Sequence, residues 1–172
     1  MRLVPLGDSA LLAELGVQAD ATTAEAVRRL VAGLKASPLK GVESVVPSFT
    51  TVAVYFVPEE VKGGADAGAA VAAWIGRVWA KGGSARSDRP REVLLPVCYG
   101  GDHGPDLDAV AQACGLTPAE VVRRHTRETY AVRAVGFSPG FPYLAGLPAA
   151  LRVPRRATPR TRVPAGSVAI GG

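Results

Sequence analysis

Apolar and polar positions recur at two different periods along this chain of 172 residues, and the periods divide it into short elements. Residues 2–6 and 9–15 each read as a short strand, joined by a turn at Gly7-Asp8. Val27, Leu30, Val31 and Leu34 then recur at i, i+3, i+4 and i+7, the spacing of one helix face; Thr22 with Glu25 reads as the capping box that starts it. Residues 42–46 and 50–57 return to strand character on either side of Pro47-Ser48. Val71, Trp74, Ile75, Val78 and Trp79 form a second helical stripe, and both tryptophans are expected in the core because they fit it. The order β-β-α-β-β-α lays two helices on one face of an antiparallel or mixed sheet.

The segment KGGSARSDRP is polar and ends in proline, as linkers do. It divides the chain into an N-terminal α/β domain over 1–80, a linker over 81–90 and a second domain over 91–172. That second domain opens with a predicted strand over 92–99. Leu107, Val110, Ala111 and Cys114 form one face of a short helix that Gly115 ends. Thr117-Pro118-Ala119-Glu120 is a capping box with proline at the first helical position, and the helix runs on through VVRRHTRE. Residues 130–137 alternate as a strand. From Ser138 the chain is rich in glycine and proline, with short extended pieces such as 167–170. The fold class is α+β, with a β-rich barrel or roll in the second half.

Composition narrows the function classes. Hydrophobic residues make up 48% and charged residues 20%, which excludes a disordered or fibrous chain. Aromatic residues are only 6%, so the core must be built mainly of Val, Leu, Ala and Ile. The longest apolar candidate, Ala69 to Trp79, is too short to span a membrane and is broken by Gly76 and Arg77. Asp8 and Glu14 stand where a signal peptide needs apolar residues, so a cytoplasmic location is expected. Cys98 and Cys114 make neither a metal-type pair nor a disulfide framework. Neither a Ser-His-Asp order nor a Walker loop nor a metal-ligand spacing is present.

The net charge of +5 is local. Residues 1–90 hold 10 basic and 9 acidic residues; residues 91–172 hold 10 and 6. No acidic residue follows Glu128, whereas six arginines do. These are interleaved with prolines and no nucleic-acid motif accompanies them, so an anionic small molecule or an acidic partner surface fits better than nucleic acid. Two segments carry the candidate chemistry. In GFSPGFPYLAGLP (136–148), glycines and prolines fix the backbone around Phe137, Phe141 and Tyr143; this suits either pocket walls or a rigid structural turn with core aromatics. In RVPRRATPRTRVPAGS (152–167), five arginines project from a stiffened loop, of which one or two are expected to bind an anion. His125, near the end of its helix, is placed either for proton transfer or as a favourable helix C-terminal charge.

LPVCYGGDHGPDLDAVA, RRHTRETYAVRAVGFSPGFPYLAGLP and PRRATPRTRVPAGSVAI closely resemble the family of the 5-oxoprolinase B subunit, allophanate hydrolase subunit 1 and Kip-type kinase inhibitor proteins, built on carboxyltransferase subdomains C and D. LGDSALLAELG and VVPSFTTVAVYFVP resemble the same family's first domain. The resemblance implies a small α/β domain followed by a cyclophilin-like β-barrel. It implies a partner, the homologous second subunit. In the oxoprolinase case it also implies a third, A-type subunit that completes an ATP-dependent enzyme opening 5-oxo-L-proline to L-glutamate. Allophanate hydrolase subunit 1, a urea amidolyase carboxyltransferase unit and an inhibitor of a sporulation histidine kinase are the alternatives; prolyl isomerase activity is set aside because fold does not imply function. Family members continue past GSVAI, so the barrel is expected to be incomplete at its C-terminal side, and activity of these 172 residues alone is not expected. Within the resembling motifs, His125 and Arg160 are the catalytic candidates. The substrate-binding candidates are Phe137, Pro139, Gly140, Phe141, Tyr143, Arg155, Arg156, Pro164, Gly166 and Ser167.

Overall fold

The computed structural model describes residues 1–62, 66–82 and 91–171. Most of the expected linker, residues 83–90, lies outside the described residues. The chain divides into two compact units, one formed by Met1–Arg91 with Arg133–Tyr143 and one by Glu92–Val132 with Leu144–Gly172.

The first unit contains β1 (Arg2–Pro5), β2 (Ala10–Glu14), α1 (Ala21–Ala36), β3 (Val42–Pro47), β4 (Thr51–Phe56) and α2 (Ala67–Ala80), the order that the periodicity predicts. The strands form one sheet in the order β1-β2-β4-β3, antiparallel at every step. Leu11 lies opposite Val54 and Ala13 opposite Val52, which puts these four buried side chains on one face of the sheet. The apolar stripes of both helices, Val27, Leu30 and Leu34 on α1 and Val71, Trp74, Ile75 and Val78 on α2, belong to the same core cluster as that face.

Helix α1 starts earlier than its capping box suggests. Asp20, not Thr22, is the N-cap, and its carboxylate accepts the Thr23 N–H at 2.7 Å. A carboxylate both satisfies an orphan donor and complements the positive helix end, so it outcompetes a threonine two residues later. Asp66 caps α2 in the same way through the Ala69 N–H at 2.9 Å. The tryptophans divide. Trp74 is buried and its indole N–H donates to the Ser37 carbonyl at 2.8 Å, whereas Trp79 is partly exposed at the edge of the stripe.

In the second unit α3 (Leu107–Cys114) ends at Gly115, whose left-handed backbone (φ 65°) lets the Leu116 N–H reach the Ala111 carbonyl and the Gly115 N–H reach that of Gln112. Thr117 caps α4 (Pro118–Arg127), accepting from the Glu120 N–H at 3.2 Å. Ala111, Val121 and Leu151 form a small core between these helices and the turn at Ala149–Leu151. The strands β5 (Ala131–Val135) and β6 (Pro142–Ala145) pair as a hairpin.

The α+β class holds, but the expected β-barrel is not closed among the described residues, where the hairpin is the second sheet. The strand expected over 92–99 does not form either; Leu94 is 96% exposed, and Val93 and Leu95 are exposed beside it. Strand character needs a ladder partner. Here the apolar side chains and the backbone N–H and C=O groups of this segment face solvent without one. The extended pieces around 167–170 likewise form no strand.

Two substitutions test the first unit, and tryptophan fluorescence reads it because both tryptophans of the chain lie on α2. Leu34→Ala, at a fully buried position facing the sheet, should lower the free energy of unfolding by about 3 kcal/mol in urea. Gly41→Ala should destabilise too, because Gly41 has φ +89° and an added Cβ would lie 2.8 Å from the Val61 backbone nitrogen.

Candidate functional site

The structure gathers the predicted residues into three groups. The first is the loop of the β5–β6 hairpin. The Phe141 N–H donates to the Ser138 carbonyl at 3.1 Å, closing a turn with Pro139 and Gly140 (φ 80°) at its centre. Proline followed by a positive-φ glycine is the type II pattern, so these two residues fix the course of the loop. The Gly136 N–H, donating to the Phe141 carbonyl at 3.0 Å, closes the loop at its base. Phe137 is held at φ 67°, a left-handed backbone that costs a non-glycine residue about 1–2 kcal/mol. Its ring meets Phe141 edge to face at 5.6 Å, Phe141 meets Tyr143 at 5.2 Å, and Tyr143 meets Phe49 at 6.0 Å. Phe49, in the turn between β3 and β4, was not among the predicted residues. Phe137 itself is 90% exposed, so the structural-turn reading with core aromatics does not describe it.

The second group is the arginine loop. Arg156 Nη1 and Arg160 Nη2 both donate to Asp106 Oδ1, at 2.8 and 2.5 Å. Asp106 stands at the start of α3 and was missed by sequence reasoning, because its partners lie 50 and 54 residues downstream. All three side chains are partly exposed, so each pair contributes at most about 1 kcal/mol to stability. Arg155 is exposed. Pro164, Gly166 and Ser167 form a turn in which Ser167 donates through both its N–H and its hydroxyl to the Pro164 carbonyl, at 3.3 and 2.8 Å, with Gly166 at φ 80°.

The third group centres on His125, in the last turn of α4. The Tyr99 hydroxyl lies 2.5 Å from His125 Nδ1, and the Tyr130 hydroxyl donates to the His125 carbonyl at 3.1 Å. Burial lowers the imidazole pKa and raises that of the Tyr99 phenol. Burial therefore favours the neutral imidazole and the protonated phenol, which share one hydrogen bond at Nδ1. Burial also works against a charge at the helix end, because it disfavours the imidazolium. Arg123 and Arg124 are engaged on the same helix by Glu120, whose carboxyl Arg124, first of all, holds below its ordinary range.

Two open clefts, of about 410 and 470 Å³, lie along the seam of α1 and α2, and neither is lined by a predicted site residue. Among the described residues no group of three or more His, Cys, Asp or Glu side chains is placed to hold a metal. At the starts of α1 and α2 the capping carboxylates of Asp20 and Asp66 already take a backbone N–H, so a phosphate would meet negative charge there. No described helix is long and apolar enough to cross a membrane.

With this geometry in place, comparison with known proteins supplies the class. The carboxyltransferase domain family, subdomain C and D, matches residues 1–172, and the chain belongs to that family. It is 35% identical to the 5-oxoprolinase B subunit of Bacillus subtilis over 97% of its own length and 72% of that protein's. It is 51% identical to the Escherichia coli O157:H7 protein of the same name, over 55% of this chain and 43% of that one. The fold matches a crystal structure of TTHA0988 with a TM-score of 0.76 and 33% identity, over 95% of this chain and 31% of that one. The chain therefore spans less than half of the Escherichia coli relative and under a third of the solved one.

Two outcomes follow from the site's geometry. Because the folded state disfavours the imidazolium, the unfolded chain binds the extra proton, so stability should fall as pH drops below about 6.5 and level off above it. His125→Gln should flatten that part of the melting-temperature profile; an unchanged slope would remove His125 as its source. Phe137→Gly should raise stability by about 0.5–1 kcal/mol in thermal unfolding, since it relieves a left-handed backbone and sacrifices little buried surface.

Proposed function

We propose that this chain acts as the B subunit of an ATP-dependent 5-oxoprolinase complex, which opens 5-oxo-L-proline to L-glutamate. The observation that carries the reading is the 35% identity to the Bacillus subtilis protein of that name along nearly the whole chain. The site chemistry supports it. Lactam opening adds water across the amide C–N bond: the carbonyl carbon takes the hydroxyl and the departing nitrogen takes a proton. A half-buried imidazole held neutral, with one ring nitrogen engaged by Tyr99, suits that transfer, which makes His125 the general acid–base candidate. The substrate carries a carboxylate, and Arg156 and Arg160 already converge on one. Arg155 would add charge to the same loop. Phe137, Phe141 and Tyr143 present exposed rings from the hairpin loop, suited to apolar contact with a substrate or partner. ATP is the co-substrate of the complex, and the acidic caps of α1 and α2 favour a partner subunit as its site. The partners are the homologous second subunit together with the A-type subunit.

The test is glutamate release from 5-oxo-L-proline by the full-length gene product co-expressed with its neighbouring subunits, with and without ATP. Release that requires both ATP and every subunit supports the reading; no release from a complex shown to be assembled overturns it, and turnover of allophanate would then be tested first and kinase inhibition second. In the active complex, Arg160→Ala should lower kcat/KM by about 10- to 100-fold at an unchanged melting temperature, the effect of removing one charge-assisted hydrogen bond. His125→Ala should lower kcat by about 100-fold or more with little change in KM. An equal loss of thermal stability would mark His125 as structural instead.

A further inference from the structure

Asp106 does not do what an aspartate at a helix start ordinarily does. Asp20 and Asp66 each cap their helix through a backbone N–H, whereas the Asp106 side chain makes no capping bond to α3. Its Oδ1 is taken by Arg156 and Arg160 together. Two cations meeting at one oxygen on a partly exposed surface add little stability. Each guanidinium also has five N–H donors in a planar fork, more than this single oxygen can occupy. The arrangement is that of a carboxylate site filled by a carboxylate of the chain itself, in a region with no acidic residue after Glu128.

We infer that Arg156 and Arg160 form a cradle for the carboxylate of a small ligand and that Asp106 is its internal stand-in, displaced when the ligand binds. The released Asp106 side chain then has a second role available, because the first N–H groups of α3 lack a side-chain cap. Such a stand-in lowers affinity by the fraction of time it fills the cradle, and so raises the ligand concentration at which the site responds. Assignment of the ligand as 5-oxo-L-proline rests on the proposed function; the cradle itself rests on the geometry.

The experiment is calorimetric titration of the full-length protein in its complex, as wild type, as Asp106→Asn and as Asp106→Asn with Arg160→Gln. The probes are 5-oxo-L-proline, acetate and the uncharged amide of 5-oxoproline. Asparagine removes the charge and remains a good N-cap, so folding, checked by the melting temperature, should be retained. Asp106→Asn should bind 5-oxo-L-proline about tenfold more tightly than wild type, leave the amide unaffected, and lose the gain when Arg160 is also replaced. Unchanged or weaker binding by Asp106→Asn, or a gain that survives loss of Arg160, would overturn the stand-in. The two proposals fail separately. If acetate and 5-oxoproline gain alike while the assembled complex releases no glutamate, the cradle stands and the oxoprolinase reading falls. If the complex turns over 5-oxoproline but Asp106→Asn gains nothing, the reverse holds.

Discussion

One dry face of strand β4 organises the first unit. Val52 and Val54 are fully buried there and Phe56 nearly so, while β2 and β3 pair on either side and both helices cover the same face. An antiparallel sheet can leave its other face to water, so one covered face suffices for a core. Register follows from it. A slip of one residue between β2 and β4 would turn Leu11, Ala13, Val52 and Val54 away from the helices together, and the burial lost would reject the slip. The aspartate caps then decide only where each helix begins.

The second unit is held differently. Its buried core is Ala111, Val121 and Leu151, far smaller than the first. Order there comes from backbone restriction and polar links: the glycine stop after α3, the threonine cap of α4, the turn at Pro164–Ser167, and Asp106 tying two arginines to the start of α3. Loops fixed in this way hold side chains at an exposed surface without burying them, which is where ligand-binding groups must stand. The left-handed Phe137, in the hairpin loop that groups with the first unit, follows the same principle. A strained, exposed aromatic at a loop tip contributes nothing to the core, and strain of this kind gathers where a side chain has to be presented.

Much of the fold was legible because it is written in local period. The spacing of Val27, Leu30, Val31 and Leu34 predicts α1, the alternation around Pro47-Ser48 predicts the β3–β4 hairpin, and Gly115 and Thr117-Pro118 mark the α3–α4 junction to the residue. Local reading erred where two local signals competed, as at Asp20 against Thr22. It erred again where apolar alternation lacked a neighbour, as at 92–99. The alternation over 92–99 records a tendency, and only a paired strand turns tendency into structure.

The candidate site divides along the same line. Its residue types were legible: arginines stiffened by proline, aromatics set in a glycine–proline loop, and a histidine at a helix end. By itself the sequence determined the elements, the class and the chemical character of the loops, because those depend on neighbours within a few residues. Only the tertiary structure decided that Asp106 meets Arg156 and Arg160, that Tyr99 meets His125 from 26 residues away, and that Phe49 joins the aromatic cluster. Contacts between distant positions depend on how whole elements pack, and no local pattern encodes which carboxylate will reach which guanidinium.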